Sequence, residues 1–363
     1  MVIIQSDQNG GANAPPFCSA TRISATAPSR SCVYAQFSLK YGFFEGICVA
    51  LCVPIHSWLK ACPAPSDAPS PAVLPALLSG FHALVLCLLL GLPAVALAES
   101  APESGRDIFY GEPGQAEPEL QTLDIYVPDK TKLRPVVLYV HGGGWVFGDK
   151  SEVLAKPAYF NSQDLAFVSM NYRLRWDYTL FDQLEDVVGA IKWIRDNGPA
   201  QGLDPSRIIL MGNGAGAHLV SLVATDPVYL AAADMVPKDI RAVVSIDNFS
   251  FDIPRVMSEL GSFLQRRQHE LIFGTTDSVW QAASPISHLQ QGRAVPGFVL
   301  MYPTSSVETQ LQTQGFARQL VKTGNTPILI PAVPAGSRPI DAELGVAGDV
   351  ATQALMTFLR ALL

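Results

Sequence analysis

Two glycine-rich stretches in this chain of 363 residues carry the residue types and spacing from which a reaction site could be built. His141-Gly142-Gly143-Gly144-Trp145 follows the apolar run at 136–140. Three successive glycines let the backbone turn sharply and aim N–H groups at one point with no side chain in the way, which is what a developing oxyanion needs. The same residues also make an ordinary glycine turn between a strand and a helix. Gly212-Asn213-Gly214-Ala215-Gly216 follows a second apolar run at 208–211 and precedes Ala217-His218-Leu219-Val220. As Gly212-x-Gly214-x-x-Ala217 it fits a dinucleotide-binding turn, with Asp234 near the offset of a ribose contact. Such an acid belongs at the end of the next strand, however, and that strand begins near Ala242, whereas Asp234 lies in a Pro-containing connection.

Composition closes off other chemistries. All six cysteines, Cys18, Cys32, Cys48, Cys52, Cys62 and Cys87, precede residue 88, so thiol nucleophiles, zinc ribbons, iron–sulfur sites and disulfide frameworks are excluded from the larger part. His269 and His288 have no carboxylate or second histidine at ligand spacing, so neither a metal nor another cofactor is expected. A net charge of -7 offers no field for polyphosphate, and no nucleic-acid partner is expected. With 48% hydrophobic and 16% charged residues, disorder is ruled out for the bulk of the chain.

The elements that must position the glycine loops alternate. Short apolar runs at 123–127, 136–140, 166–170, 208–211, 242–246, 298–301 and 328–330 read as strands covered on both faces. Leu184, Val187, Val188, Ile191 and Ile194 recur at helical spacing, as do Ala351, Leu355, Phe358, Leu359 and Leu362 after a cap at Asp349. The pattern is α/β, a doubly wound sheet, with one irregular insertion from about Asn248 to Gln290 that would overhang the strand ends and cover the site. Two segments are expected: a leader at 1–98 and a single domain at 99–363. Residues 83–98 form an apolar run ending in Ala96-Leu97-Ala98, so a signal peptide at about 73–98 implies export to a periplasm or medium. Residues 1–72 read poorly as a fold, which a mis-assigned start site would explain; if translation begins at Met1, residues 72–98 are long enough for an uncleaved membrane anchor.

Taken with Gly148-Asp149-Lys150 and Asn171-Tyr172-Arg173-Leu174, the two glycine stretches make residues from about 119 to the end resemble the α/β-hydrolase superfamily, specifically its esterase/lipase branch with an HGGG loop. The resemblance implies the α/β-hydrolase fold, an oxyanion hole from the N–H groups of Gly142, Gly143 and Ala215, and a Ser-His-Asp triad that cleaves carboxylic esters. Each triad position is altered in this chain. The serine of G-x-S-x-G is Gly214; the acid's place after residues 298–301 falls at Ser305 or Ser306, with Glu308 as the only carboxylate close by; the base's place after residues 328–330 falls at Ser337. The last histidine of the chain is His288.

The expectation is therefore an esterase-like pseudoenzyme, without Ser-His-Asp activity, that binds a small molecule of ester or carboxylate type in the former ester pocket. Arg338, near the vacated base position, is either a contact for an anionic ligand or a solvated surface cation. His218 reads as a satisfied core histidine rather than a base. The alternative is an active carboxylic-ester hydrolase with a displaced site, using Ser221 or another nucleophile with Asp247 at the end of the sixth strand.

Overall fold

Alternate residues of an extended chain point to opposite faces, and on the strand at 134–140 both faces are filled. Val136, Leu138 and Val140 belong to one buried cluster, while Val137 and Tyr139 belong to a second. Such a strand sits in the middle of a mostly parallel sheet with helices on both sides.

The computed structural model describes residues 103–333 other than Gln115, residues 338–363, and the two short strands Val33–Tyr34 and Ala50–Leu51. The chain divides into two units, Met1–Ala94 and Val95–Leu363. In the first, Val33 pairs with Leu51 and Tyr34 with Ala50 in antiparallel sense. The signal peptide or anchor expected at about 73–98 within the leader lies outside the described residues, and so does Ser337. Among the described residues no helix is long and apolar enough to cross a membrane.

The second unit is built on eight strands: β1 (Glu103–Phe109), β2 (Thr122–Tyr126), β3 (Arg134–Val140), β4 (Ala166–Met170), β5 (Leu203–Asn213), β6 (Ile240–Ile246), β7 (Phe298–Pro303) and β8 (Ile328–Ala332). Their order across the sheet is β8-β7-β6-β5-β3-β4-β2-β1. Only the β1–β2 and β2–β4 pairings are antiparallel. All seven expected strands are present. The eighth, β1, is an edge strand with two charged residues in its middle, Arg106 and Asp107, and has no apolar period to announce it.

Helices cover both faces. On the first cluster pack α2 (Leu180–Asn197), α3 (Ala215–Thr225) and α8 (Val307–Lys322); on the second pack α1 (Lys156–Ser162) and α10 (Val350–Leu362). The fold is thus the doubly wound α/β arrangement that the alternation implied. Starts are written locally: Thr179 and Asp182 cap α2 reciprocally, Ser306 caps α8, and Asp349 caps α10 as expected. A short helix, α4 (Pro227–Ala232), follows α3, and the insertion between β6 and β7 folds into α5 (Ile253–Glu259), α6 (Phe263–Phe273) and α7 (Asp277–Ala282). The last short helix, α9 (Ile340–Glu343), follows β8.

Within the second cluster lies a charged pair. Lys156 is fully buried; its Nζ donates to Asp341 Oδ2 at 2.9 Å and stands 5.0 Å from the centre of the Tyr139 ring, whose hydroxyl donates to Asp341 Oδ1 at 3.0 Å. Removing one member of such a pair leaves a buried charge without compensation, whereas replacing both by apolar groups does not. Lys156→Met is expected to lower the unfolding free energy by about 3 kcal/mol or more, and Lys156→Met combined with Asp341→Leu by clearly less, read from urea denaturation midpoints. Equal losses in the two variants would show that the pair carries no compensation.

Candidate functional site

The carboxyl ends of β3, β5, β6 and β7 converge on the two glycine loops. Strand β5 runs into Gly214 and α3 starts at Ala215, so the chain reverses at Gly214 with φ 52° and ψ −111°. That conformation lies outside the regions that L-residues occupy without strain. The flanking glycines have a different reason. A Cβ at Gly212 would fall on the backbone of Gly216, and a Cβ at Gly216 would fall on the carbonyl oxygen of Val140, so strand, helix and neighbouring strand meet backbone to backbone. At Gly214 a Cβ would meet nothing within 4 Å. The middle glycine of the elbow faces open space where its neighbours have none.

The loop after β3 lies against this elbow: a Cβ on Gly142 would stand 3.1 Å from both the carbonyl oxygen and Nδ2 of Asn213. Its peptide planes are held from behind. The Tyr172 hydroxyl lies 3.1 Å from the His141 carbonyl and 3.2 Å from that of Gly142, which also accepts from His141 Nδ1 at 2.8 Å. The C=O of a trans peptide points opposite to its N–H, so fixing these carbonyls aims the N–H groups of Gly142 and Gly143 the other way. Neither N–H has an acceptor among the described residues, and the same holds for the N–H of Ala215 at the first position of α3. Three donors of this kind can hold an anionic or polarised oxygen.

The motif residues between these landmarks brace the loop. Lys150 donates through its backbone N–H to Asn171 Oδ1 at 2.7 Å, and through Nζ to Asp124 and Asp107 at 2.7 and 2.6 Å. Asn171 Nδ2 donates to Asp149 Oδ2 at 3.0 Å, and Arg173 Nε to Asp186 at 2.9 Å. Trp145, buried at φ 66°, sends Nε1–H to Nδ1 of His218 at 3.3 Å, and His218 donates from Nε2 to the Ala283 carbonyl at 2.8 Å. Phe249 and Phe273 meet the Trp145 ring edge-on, so the insertion packs directly on the loop. Both ring nitrogens of His218 are occupied, and burial lowers its pKa to about 4; burial does the same to His141, which is stacked on Tyr172 with ring centres 4.3 Å apart.

The other residues singled out from the sequence fall as follows. Ser306 Oγ donates to Thr309 Oγ1 at 2.9 Å, and Thr309 Oγ1 donates to Asp247 Oδ1 at 3.2 Å, so one acid position is joined through a threonine to a carboxylate on the neighbouring strand end. Spacing along the chain gave no sign of that link. Asp247 sits at φ 52°, and burial raises its pKa against the Thr309 bond, with nearby Asp341 adding to the rise. Ser305 and Glu308 are exposed. Arg338 is an exposed side chain whose guanidinium meets Glu343 at 3.3 Å. Ser221 is fully buried and donates to the Ala217 carbonyl at 2.6 Å, out of reach of any substrate. Asp234 is a surface residue paired with Arg195 at 3.0 Å, so the dinucleotide reading has no ribose contact there. His269 bonds the Gln265 carbonyl and His288 lies between the Ala282 carbonyl and Asp226.

Comparison with known proteins agrees with this geometry. Residues 123–301 match the family model BD-FAE. The chain is 29% identical over 267 residues to esterase LipQ of Mycobacterium tuberculosis, covering 70% of this chain and 61% of that protein. It is 39% identical over 140 residues to bovine (Bos taurus) arylacetamide deacetylase, covering 36% of this chain and 35% of that protein. Among solved structures, esterase B from Lactobacillus rhamnosis superposes with a TM-score of 0.60 at 22% identity, over 80% of this chain and 96% of that one. The chain has the α/β-hydrolase fold and is similar to the esterase branch of that superfamily. Against the curated relatives it spans about a quarter to three fifths of their length.

Within this α/β-hydrolase the two buried histidines tie stability to pH. Their folded pKa values of about 4 lie below the ordinary 6.5, so between these limits the unfolded chain binds protons that the folded chain does not. Stability from both groups is therefore full above about pH 6.5 and declines as pH falls toward 4, with a slope of up to roughly 1.4 kcal/mol per pH unit for each histidine. His218→Gln, which can still accept from Trp145 and donate to Ala283, is expected to remove one histidine's share of that slope in urea unfolding between pH 7 and pH 4.5. An unchanged slope would mean that His218 titrates normally.

Proposed function

We propose that this protein is a non-hydrolytic member of its esterase branch, which binds a small molecule of ester or carboxylate type in the former ester pocket. The observation that carries the reading is Gly214: the elbow keeps its backbone conformation and the open space above it, but presents no hydroxyl to attack a carbonyl. The loop of N–H donors that would receive the ligand's oxygen is still held in place by Tyr172. The four histidines among the described residues each have a ring nitrogen engaged with a backbone carbonyl, which supports the reading that none serves the elbow as a base. Loss of the serine or the histidine of such a triad costs about six orders of magnitude in turnover, leaving only what the oxyanion donors and binding supply. A carboxylate fits those donors without any triad, because it brings its own negative oxygen. Export from the cell, with cleavage after Ala98, is part of the same proposal and rests on the apolar run at 83–98.

A serine-reactive fluorophosphonate is expected to leave the purified chain unlabelled, and covalent labelling would overturn the proposal. Small carboxylates and esters screened by thermal shift are expected to raise Tm as binding to the folded state alone requires. Gly214→Ser has room for its side chain but is held at φ 52°, so it is expected to fold with a loss of about 1–3 kcal/mol. It is expected to hydrolyse p-nitrophenyl acetate no faster than background, because a serine without a base is a poor nucleophile. Joining it with Ser306→Asp and Ser337→His, or with Ser305→Asp as the other acid position, is expected to bring turnover back. Turnover by Gly214→Ser alone would reveal a base already within reach.

A further inference from the structure

A second concavity, of about 460 Å³, opens between α2 and the turn that joins β1 to β2. No residue of the oxyanion loop or of the elbow lines it. In its wall is Gln121, which is 2% exposed and donates from Nε2 to Asp186 Oδ1 at 2.7 Å. That bond fixes the orientation of the amide, because an ionised carboxylate only accepts. Gln121 Oε1 is left buried with no donor among the described residues. Gly111 stands directly before that oxygen, and a Cβ there would fall on it.

The charge of the lining has a sign. Glu112, Glu185, Asp186 and Asp196 face two cations, Arg173 and Lys192. Asp186 and Glu185 both pair with Arg173, at 2.9 and 3.4 Å, and Asp196 pairs with Arg195 at 2.8 Å, so Glu112 is the lining carboxylate that has no ion pair among the described residues. Burial raises the pKa of Asp186 even against its bonds from Arg173 and Gln121. Trp193 adds an indole to the wall, a surface that favours cations.

We propose that this hollow is a binding site for a small organic cation with N–H donors, an alkyl amine or guanidinium, which donates to Gln121 Oε1 and to the Glu112 carboxylate at the mouth and lies against Trp193. The proposal is independent of what occupies the ester pocket.

Titration calorimetry of the full chain with agmatine tests it, with methyl glucoside as a neutral polyol. Agmatine is expected to bind one to one, more weakly as salt is raised, while methyl glucoside does not bind. Gly111→Ala, which covers the orphaned acceptor, is expected to weaken agmatine by about tenfold or more. Because that methyl presses on a buried amide, Glu112→Gln provides a second arm on an exposed side chain, with a loss of about threefold or more expected. Gly214→Ser, altered only in the elbow, is expected to bind agmatine as the native chain does. No binding at about 10 mM agmatine, equal binding in native and Glu112→Gln chains, or equal affinity for methyl glucoside would each overturn the assignment.

Discussion

Two backbones can touch only where neither carries a side chain, and this α/β-hydrolase depends on one such contact. Gly216 at the start of α3 lies against the carbonyl of Val140 at the end of β3, and Gly212 lies against Gly216. The close approach places the elbow and the loop at 141–145 beside each other, since that loop leaves β3 at the point of contact. Any side chain at either glycine would push α3 away from the sheet, and the N–H groups of Gly142, Gly143 and Ala215 would no longer share a target. Packing therefore sets the site before any polar group does.

Orientation comes next, and polar groups supply it. A glycine-rich loop loses more conformational entropy on ordering than any other sequence of its length, so its geometry must be imposed from outside. Tyr172 and His141 hold the carbonyls, Gln183 and the Arg175 N–H hold that of Trp145 at 2.8 Å each, and His218 ties Trp145 to the end of α7. His218 does this work only while neutral: protonated, it could no longer accept from the indole. The same burial that makes the loop rigid thus makes it sensitive to acid.

How much of this could be read from the sequence follows from the range of the interactions. The strands from β2 to β7 were legible because a chain covered on both faces is apolar along most of its length, and α2 and α10 because one apolar stripe recurs at helical spacing. β8 is apolar too, but it is the other edge strand and leaves Leu329 and Pro331 exposed rather than covered on both faces as its run suggested. β1 was not legible, since an edge strand satisfies its ladder on one side and tolerates Arg106 and Asp107. Helices α5 to α7 left little trace because much of their surface faces solvent, with Phe263 80% exposed. The glycine loops were visible as motifs, but not the partners that orient them. Tyr172 lies 30 residues from Gly142 and Thr309 lies 62 from Asp247, and only the folded sheet brings either pair together. The same limit left the hollow beside α2 unseen, since Gln121, Gly111 and Trp193 form no pattern along the chain.

Glycine at position 214 has an energetic consequence that a different replacement would not share. A serine in this turn sits in a region that costs about 1–3 kcal/mol, a strain tolerated where the hydroxyl is needed for chemistry. Glycine enters the same region with little strain, and the surrounding contacts, from the Ile246 carbonyl at 2.9 Å to the glycines on either side, are made by backbone alone. A glycine in this turn thus relaxes the frame rather than collapsing it. The Tyr172 brace, the Trp145–His218 clamp and the Lys156–Asp341 pair involve neither Gly214 nor Ser306, so the aim of the donors does not depend on the residue that stands at the elbow. A pocket kept in shape by contacts of this kind does not need catalysis in order to bind, which is what the proposed function requires of it.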